Sequence, residues 1–68
     1  MKFKTLEKTQ CKYSHYLEAA FRYQLDHDGR FEMYVVHTYN KQSGGFGNGF
    51  YTTSEADALA EYNRRKNM

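Results

Sequence analysis

The stretch Phe31-Glu32-Met33-Tyr34-Val35-Val36-His37-Thr38-Tyr39 decides how the rest of this chain is read. It is the longest run of β-branched and aromatic residues, and turn-forming segments bound it on both sides. Asp26-His27-Asp28-Gly29 precedes it and Asn40-Lys41-Gln42-Ser43-Gly44-Gly45 follows. Such a run between turn signals reads as a strand. In a chain of 68 residues it reads as a central one.

The segment before it, residues 13–25, fits two periods. At helical spacing Tyr13, Tyr16, Leu17, Ala20, Phe21 and Leu25 share a face, with Glu18 and Arg22 four apart. At strand spacing Tyr13, His15, Leu17, Ala19, Phe21, Tyr23 and Leu25 alternate with mostly polar neighbours. Periodicity leaves both open, and the turn favours the strand. A three-residue loop, His27-Asp28-Gly29, places Gly29 in the left-handed conformation that glycine adopts without cost. Asp26 then faces Arg30, Leu25 faces Phe31, Tyr23 faces Met33, Phe21 faces Val35 and Ala19 faces His37. A slip of one residue breaks that match. The expectation is a hairpin from Leu17 to Tyr39, with Glu18, Ala20, Arg22, Gln24, Glu32, Tyr34, Val36 and Thr38 on its other face. Arg22 is expected opposite Tyr34, where guanidinium and ring attract.

Further out, Lys2-Phe3-Lys4-Thr5-Leu6-Glu7-Lys8 reads as a short strand whose lysines suit a sheet edge. Thr9-Gln10-Cys11-Lys12 reads as a polar connection. On the other side, residues 40–49 read as a mobile glycine-rich loop, and Phe46 to Tyr51 as a returning strand. Thr52 and Glu55 stand at capping-box spacing for a closing helix. Ala56, Leu59, Ala60 and Tyr62 form its apolar face, with Glu61 and Arg65 paired on the other. The expected fold is α+β: one domain over residues 1–68, an antiparallel sheet of four or five strands with one C-terminal helix packed on one face. That helix is expected to cover Leu17, Phe21, Phe31, Met33 and Val35. One helix cannot cover both faces, so the Arg22/Tyr34 face is the candidate for partner contact.

Composition narrows the function classes. A chain this short buries only about 60% of the surface its unfolded form exposes. With 18% aromatics, some of its seven tyrosines must reach the surface. The formal charge of +2 fits neither a strong polyanion binder nor an acidic DNA mimic. The single cysteine, Cys11, allows no internal disulfide and fits a reducing cytosol. No apolar run has the length of a signal peptide or membrane span. The chain reads as soluble, intracellular and complete.

Its chemistry is sparse. Cys11, His15, Asp26, His27, Asp28 and His37 lack paired metal-ligand spacing. Cys11 and His15 lack a third group for nucleophilic catalysis, and Asp26 with Asp28 reads as turn chemistry. No cofactor, metal or enzymatic activity is expected. Gly45-Phe46-Gly47-Asn48-Gly49 offers a phosphate-cradle pattern, but a strand rather than a helix follows it. Gly44-Gly45-Phe46-Gly47 is similar to the glycine-aromatic strand of RNA-recognition motifs, but Asn48 and Gly49 depart from that motif. The loop reads as a flexible connection or as a binding loop, with Phe46, Asn48 and Lys41 making contact. Aromatics interleaved with basic residues also admit a stacking platform for single strands.

The chain's layout combines Met1-Lys2-Phe3-Lys4, the hairpin through Asp26-His27-Asp28-Gly29-Arg30, the strand to Tyr39 and the closing Thr52-Thr53-Ser54-Glu55-Ala56 helix. This layout resembles the small phage-borne anti-CRISPR proteins that act on type I-F systems. The resemblance implies a protein-binding inhibitor in the bacterial host cytoplasm. Such a protein docks on subunits of the RNA-guided surveillance complex and keeps target DNA from pairing with the guide. That family shares no catalytic motif, so no functional residue is carried over. The contact residues expected from the exposed face and the loop are Tyr16, Arg22, Tyr34, Lys41, Phe46 and Asn48. The alternative is a nucleic-acid-binding module using Lys2, Lys4, Lys12, Arg64 and Arg65, which requires the two chain ends to meet.

Overall fold

A computed structural model describes residues 2–68; Met1, which opens the Met1–Lys4 stretch quoted above, lies outside them. Four strands follow one another, β1 (Lys2–Gln10), β2 (Leu17–Leu25), β3 (Phe31–Asn40) and β4 (Gly45–Thr52), before one helix, α1 (Glu55–Lys66). The sheet is an antiparallel meander in the order β1-β2-β3-β4. The fold is therefore α+β, with a four-stranded sheet and one C-terminal helix. The molecule measures 37 × 25 × 16 Å, a slab two layers thick.

The β2–β3 turn forms as its sequence dictates. Asp26 Oδ1 accepts from the Asp28 and Arg30 amides, both at 2.9 Å. Asp26 N–H donates to the Arg30 carbonyl at 2.9 Å, and Gly29 is left-handed at φ +81°. Leu25 pairs with Phe31 as expected, but the next pair is Gln24 with Met33, so Glu32 is bulged out. A bulge sets two residues against one and shifts all later pairs. Tyr23 accordingly pairs with Tyr34, Arg22 with Val35, Phe21 with Val36 and Ala20 with His37. The expected pairs Tyr23–Met33, Phe21–Val35 and Ala19–His37 do not form.

This one-residue bulge exchanges the faces of β3 and leaves those of β2 in place. The core between sheet and helix is Cys11, Ala19, Phe21, Val36, Ala58 and Tyr62, with Leu17, Tyr34, Phe50 and Leu59 packed around them. Val35, expected in that core, lies on the opposite face beside Arg22; Val36 takes its place. Tyr34, expected opposite Arg22, lies on the helix side and stacks on Phe21 at 5.7 Å between centroids.

In the outer segments the hairpin begins at Leu17 as expected, and two other expectations change. Residues 17–25 are strand, while 13–16 belong to the connection. Cys11 is only 2% exposed, its amide held by the Leu17 carbonyl at 2.9 Å, so it is a core residue rather than part of a polar connection. Residues 45–49 belong to β4, which limits the β3–β4 connection to 41–44, closed by left-handed Gly44 (φ +75°).

The helix begins one turn signal later than Thr52. Ser54 is the N-cap, its Oγ accepting from the Asp57 amide at 3.2 Å, while Thr52 Oγ1 accepts from the Ser54 amide at 3.1 Å. Ser54 has the extended backbone and hydroxyl acceptor that an N-cap needs. Glu55 and Asp57 sit in the first turn and Arg64, Arg65 and Lys66 in the last, which complements the helix dipole. The buried helix face is Ala58, Tyr62 and Arg65, not Ala56 and Ala60, which are exposed. Among the described residues no helix is long and apolar enough to cross a membrane.

Candidate functional site

With α1 on one side, the other face of the sheet has no covering element among the described residues. Its residues follow from the register: Phe3 and Lys8 from β1, Ala20, Arg22 and Gln24 from β2, Val35, His37 and Tyr39 from β3, and Phe46 and Tyr51 from β4. Val35 and Ala20 are nonetheless 0% exposed. Long side chains from the flanking strands close over them and form a thin second core.

Arg22 is the centre of that layer. Its guanidinium carbon lies 4.5 Å from the Phe3 ring centroid and 4.4 Å from that of Phe46. The two rings come from opposite edges of the sheet, one from β1 and one from β4. A cation held on the face of an aromatic ring gains about 0.5–2 kcal/mol, more as water is excluded. The Arg22 Nε is sealed from solvent without a hydrogen-bond partner. Burial holds its pKa below the ordinary arginine value, yet a guanidinium remains charged in any ordinary environment.

His37 stands beside this sandwich. Its ring meets Phe3 at 5.7 Å, Phe46 at 5.5 Å and Tyr51 at 5.9 Å. Its Nε2 lies 3.4 Å from the Tyr51 hydroxyl, and its Nδ1 is buried without a partner. Burial first, then the charges of Arg22 and Arg65, push its pKa below the usual value. A second bulge makes room for it: between the Val36–Phe50 and Thr38–Gly47 pairs, His37 faces Asn48 and Gly49. Asn48 takes the left-handed conformation at φ +53° to make that bulge. Tyr39 extends the aromatic layer, 4.9 Å from Phe46, and Lys8 lies 5.4 Å above the Tyr39 ring.

The expected contact residues divide. Arg22 and Phe46 come together on the uncovered face. Tyr34 does not join them; its hydroxyl donates to Glu55 Oε2 at 2.9 Å, and that bond raises its pKa. Tyr16 is half-buried at the end of the β1–β2 connection, where its carbonyl accepts from the Lys41 amide at 2.8 Å. Lys41 Nζ donates to Gln10 Oε1 at 2.6 Å. Asn48 is exposed and lines a shallow hollow with Thr38, Gly45 and Gly47.

The expected nucleic-acid residues divide too. The C-terminal tail meets the Lys12 segment but not the N-terminal end of β1: Lys12 N–H donates to the Lys66 carbonyl at 2.8 Å, and Tyr13 N–H to that of Met68 at 2.6 Å. Lys2 and Lys4, however, lie toward the far end of β1. At about 3.3 Å per strand residue, Lys2 stands roughly 30 Å from Lys12. Arg65 is withdrawn from any surface role. It is 7% exposed, with Nε donating to Glu61 Oε2 at 2.6 Å and Nη1 to Thr38 Oγ1 at 3.2 Å. The Glu61–Arg65 pair thus faces the core rather than solvent. Arg64 is exposed and donates to both Glu61 oxygens. Together they hold the Glu61 carboxyl down at about 2, Arg64 contributing most.

Phe3, His37, Tyr39 and Tyr51 were not among the residues expected at the site. Strand parity would have found His37 and Tyr39 once Glu32 was recognised as bulged. Phe3 and Tyr51 join only through pairing of distant strands. Among the described residues, no group of three His, Cys, Asp or Glu is placed to hold a metal ion. No known protein family, no curated protein and no solved structure matches this chain.

Proposed function

We propose that this chain is a non-enzymatic, stoichiometric binder whose contact surface is the uncovered sheet face around Arg22. One observation carries the reading: an arginine clamped between Phe3 and Phe46 on a face that no element of the fold covers. Phe46 is 45% exposed and Tyr51 51%, so about half of each residue remains available to a partner. Arginine and aromatic side chains held rigidly at the centre of a patch are the usual anchors of protein interfaces. The best nucleophile and the buried histidine lie apart: Cys11 in the core under α1, His37 on the opposite face. That separation favours binding over catalysis.

The resemblance to type I-F anti-CRISPR proteins supplies the partner class. In this reading the chain docks on a subunit of the surveillance complex and keeps target DNA from the guide. The test is to add purified chain in increasing molar ratio to a purified type I-F complex and measure binding of labelled target duplex. Loss of target binding at a stoichiometric ratio supports the reading, and unhindered target binding at excess chain rejects it.

A nucleic-acid module is the second reading, favoured by the contact between the Lys12 segment and the C-terminal end of α1. It predicts direct binding to labelled DNA that weakens steeply with salt. Against it, the inner faces of Phe3 and Phe46 are already occupied by Arg22. Phe46 is also tilted by 48° against Tyr39 and by 50° against His37, so these rings do not form one flat platform for bases.

A further inference from the structure

We infer that Arg22 is a receptor for a carboxylate, and that the partner meets this face with an acidic protein segment. The inference rests on the binding reading above and specifies the chemistry of the partner. Four arginines occur in the chain, and Arg30 lies exposed at the end of the β2–β3 turn, away from any aromatic clamp. Arg64 and Arg65 both spend their charge on Glu61. Among the described residues, Arg22 has no carboxylate within ion-pair distance and makes no hydrogen bond. Among the described residues that the register pairs, Glu18 is the carboxylate on the same face, and it is taken by Lys8 at 3.6 Å.

The clamp also fixes what this arginine can offer. With Phe3 and Phe46 about its guanidinium and Nε sealed, the terminal nitrogens remain to meet a ligand. A guanidinium held in one plane presents parallel N–H donors that match the two oxygens of a carboxylate. Lys8 and Glu18 offset each other, and Lys41 at the rim beside Gln10 adds charge of the same sign. A positive, aromatic-walled face whose one acid is already paired is complementary to Glu or Asp set among apolar residues. An acidic partner also repays the cost of leaving a half-buried guanidinium unpaired.

The experiment is an amide and arginine Nε–H NMR titration of the intact chain with a capped Glu-Phe-Glu-Phe-Glu peptide. The same peptide with Gln for Glu and an oligothymidylate serve as comparison probes. The inference predicts shifts centred on Arg22, Phe46 and His37, with the neutral peptide roughly tenfold weaker, as expected for losing one charge-assisted hydrogen-bond pair. Arg22→Gln removes the preference for the acidic peptide. Arg22→Lys keeps the charge and the fold but loses the planar fork, and binds between the two. Equal binding of both peptides, or shifts that miss Arg22, overturns the inference. A response to oligothymidylate alone overturns it in favour of nucleic acid. Because the titration contains no surveillance complex, its failure leaves the inhibition test above independent, and the reverse holds as well.

Discussion

Gly49 lies so close against His37 that a methyl group on its Cα would stand 2.9 Å from the His37 Nε2. The same methyl would meet the Tyr51 ring at 2.7 Å. A glycine is required here by proximity, because the β4 bulge carries the backbone directly over the histidine. Gly49→Ala must therefore push His37 or Tyr51 out of the aromatic layer. The expected cost is about 1–3 kcal/mol, the range for overpacking. A lowered urea midpoint with unchanged slope checks it, and a midpoint equal to that of the parent chain contradicts the packing described.

The shared carboxylate of Glu61 gives a second expectation. Glu61→Gln leaves the buried Arg65 guanidinium without its counter-charge and costs about 2–3 kcal/mol. Arg64→Ala, which removes an exposed and solvent-screened partner, should leave stability close to that of the parent chain. The pH dependence follows from a carboxyl held at about 2 against an ordinary 4.5. Its contribution is fully present above 4.5 and is lost as pH falls toward 2. The stability gap between parent and Glu61→Gln should therefore close across that window in acid-dependent denaturation curves.

How far this fold is legible in the sequence turns on Glu32. The β2–β3 turn is local, and Asp26 and Gly29 specify it within five residues. The bulge is not local. Both parities of β3 are apolar, Met33 and Val35 on one side, Tyr34 and Val36 on the other. Displacing one residue therefore carries no visible penalty in the pattern. On β2, once the turn makes it a strand, Glu18, Arg22 and Gln24 all fall on one parity, so Arg22 is placed correctly and Tyr34 is not. Arg65 carries the signature of a solvent-facing charge at a helix end. Its burial depends on Glu61 and Thr38, one of them 27 residues away.

His37 provides a pH-dependent expectation on the candidate face. Burial and the charges of Arg22 on β2 and Arg65 on α1 lower its pKa below 6.5, with the Tyr51 hydroxyl as its near neighbour on β4. The unfolded chain then takes up a proton before the folded one does. Stability is unaffected by this group above 6.5 and falls as pH drops below it, until the folded histidine also titrates. An NMR titration of the His37 ring should give a value below 6.5 that rises in Arg22→Gln. An unshifted value would show that the ring is open to water.

Cys11 should be chemically silent in the native chain. It is buried among Ala19, Ala58 and Tyr62, and burial followed by the charge of Glu18 raises its thiol pKa. Only the thiolate reacts readily. Labelling by an aromatic disulfide should follow the unfolded fraction, rising steeply through the urea transition. Rapid labelling in buffer would mean that the β1–β2 connection opens without global unfolding.

The uncovered face as a contact surface is tested most directly by comparing three variants in the target-binding assay with a type I-F complex. Arg22→Gln and Phe46→Ala alter that face, and Arg64→Ala alters the exposed end of α1. Anchors of this kind carry about 2 kcal/mol each, so the two face variants should need more than tenfold the concentration of the parent chain to block target DNA. Arg64→Ala should match the parent. Equal inhibition by all three folded variants, or no inhibition by the parent chain, contradicts the account.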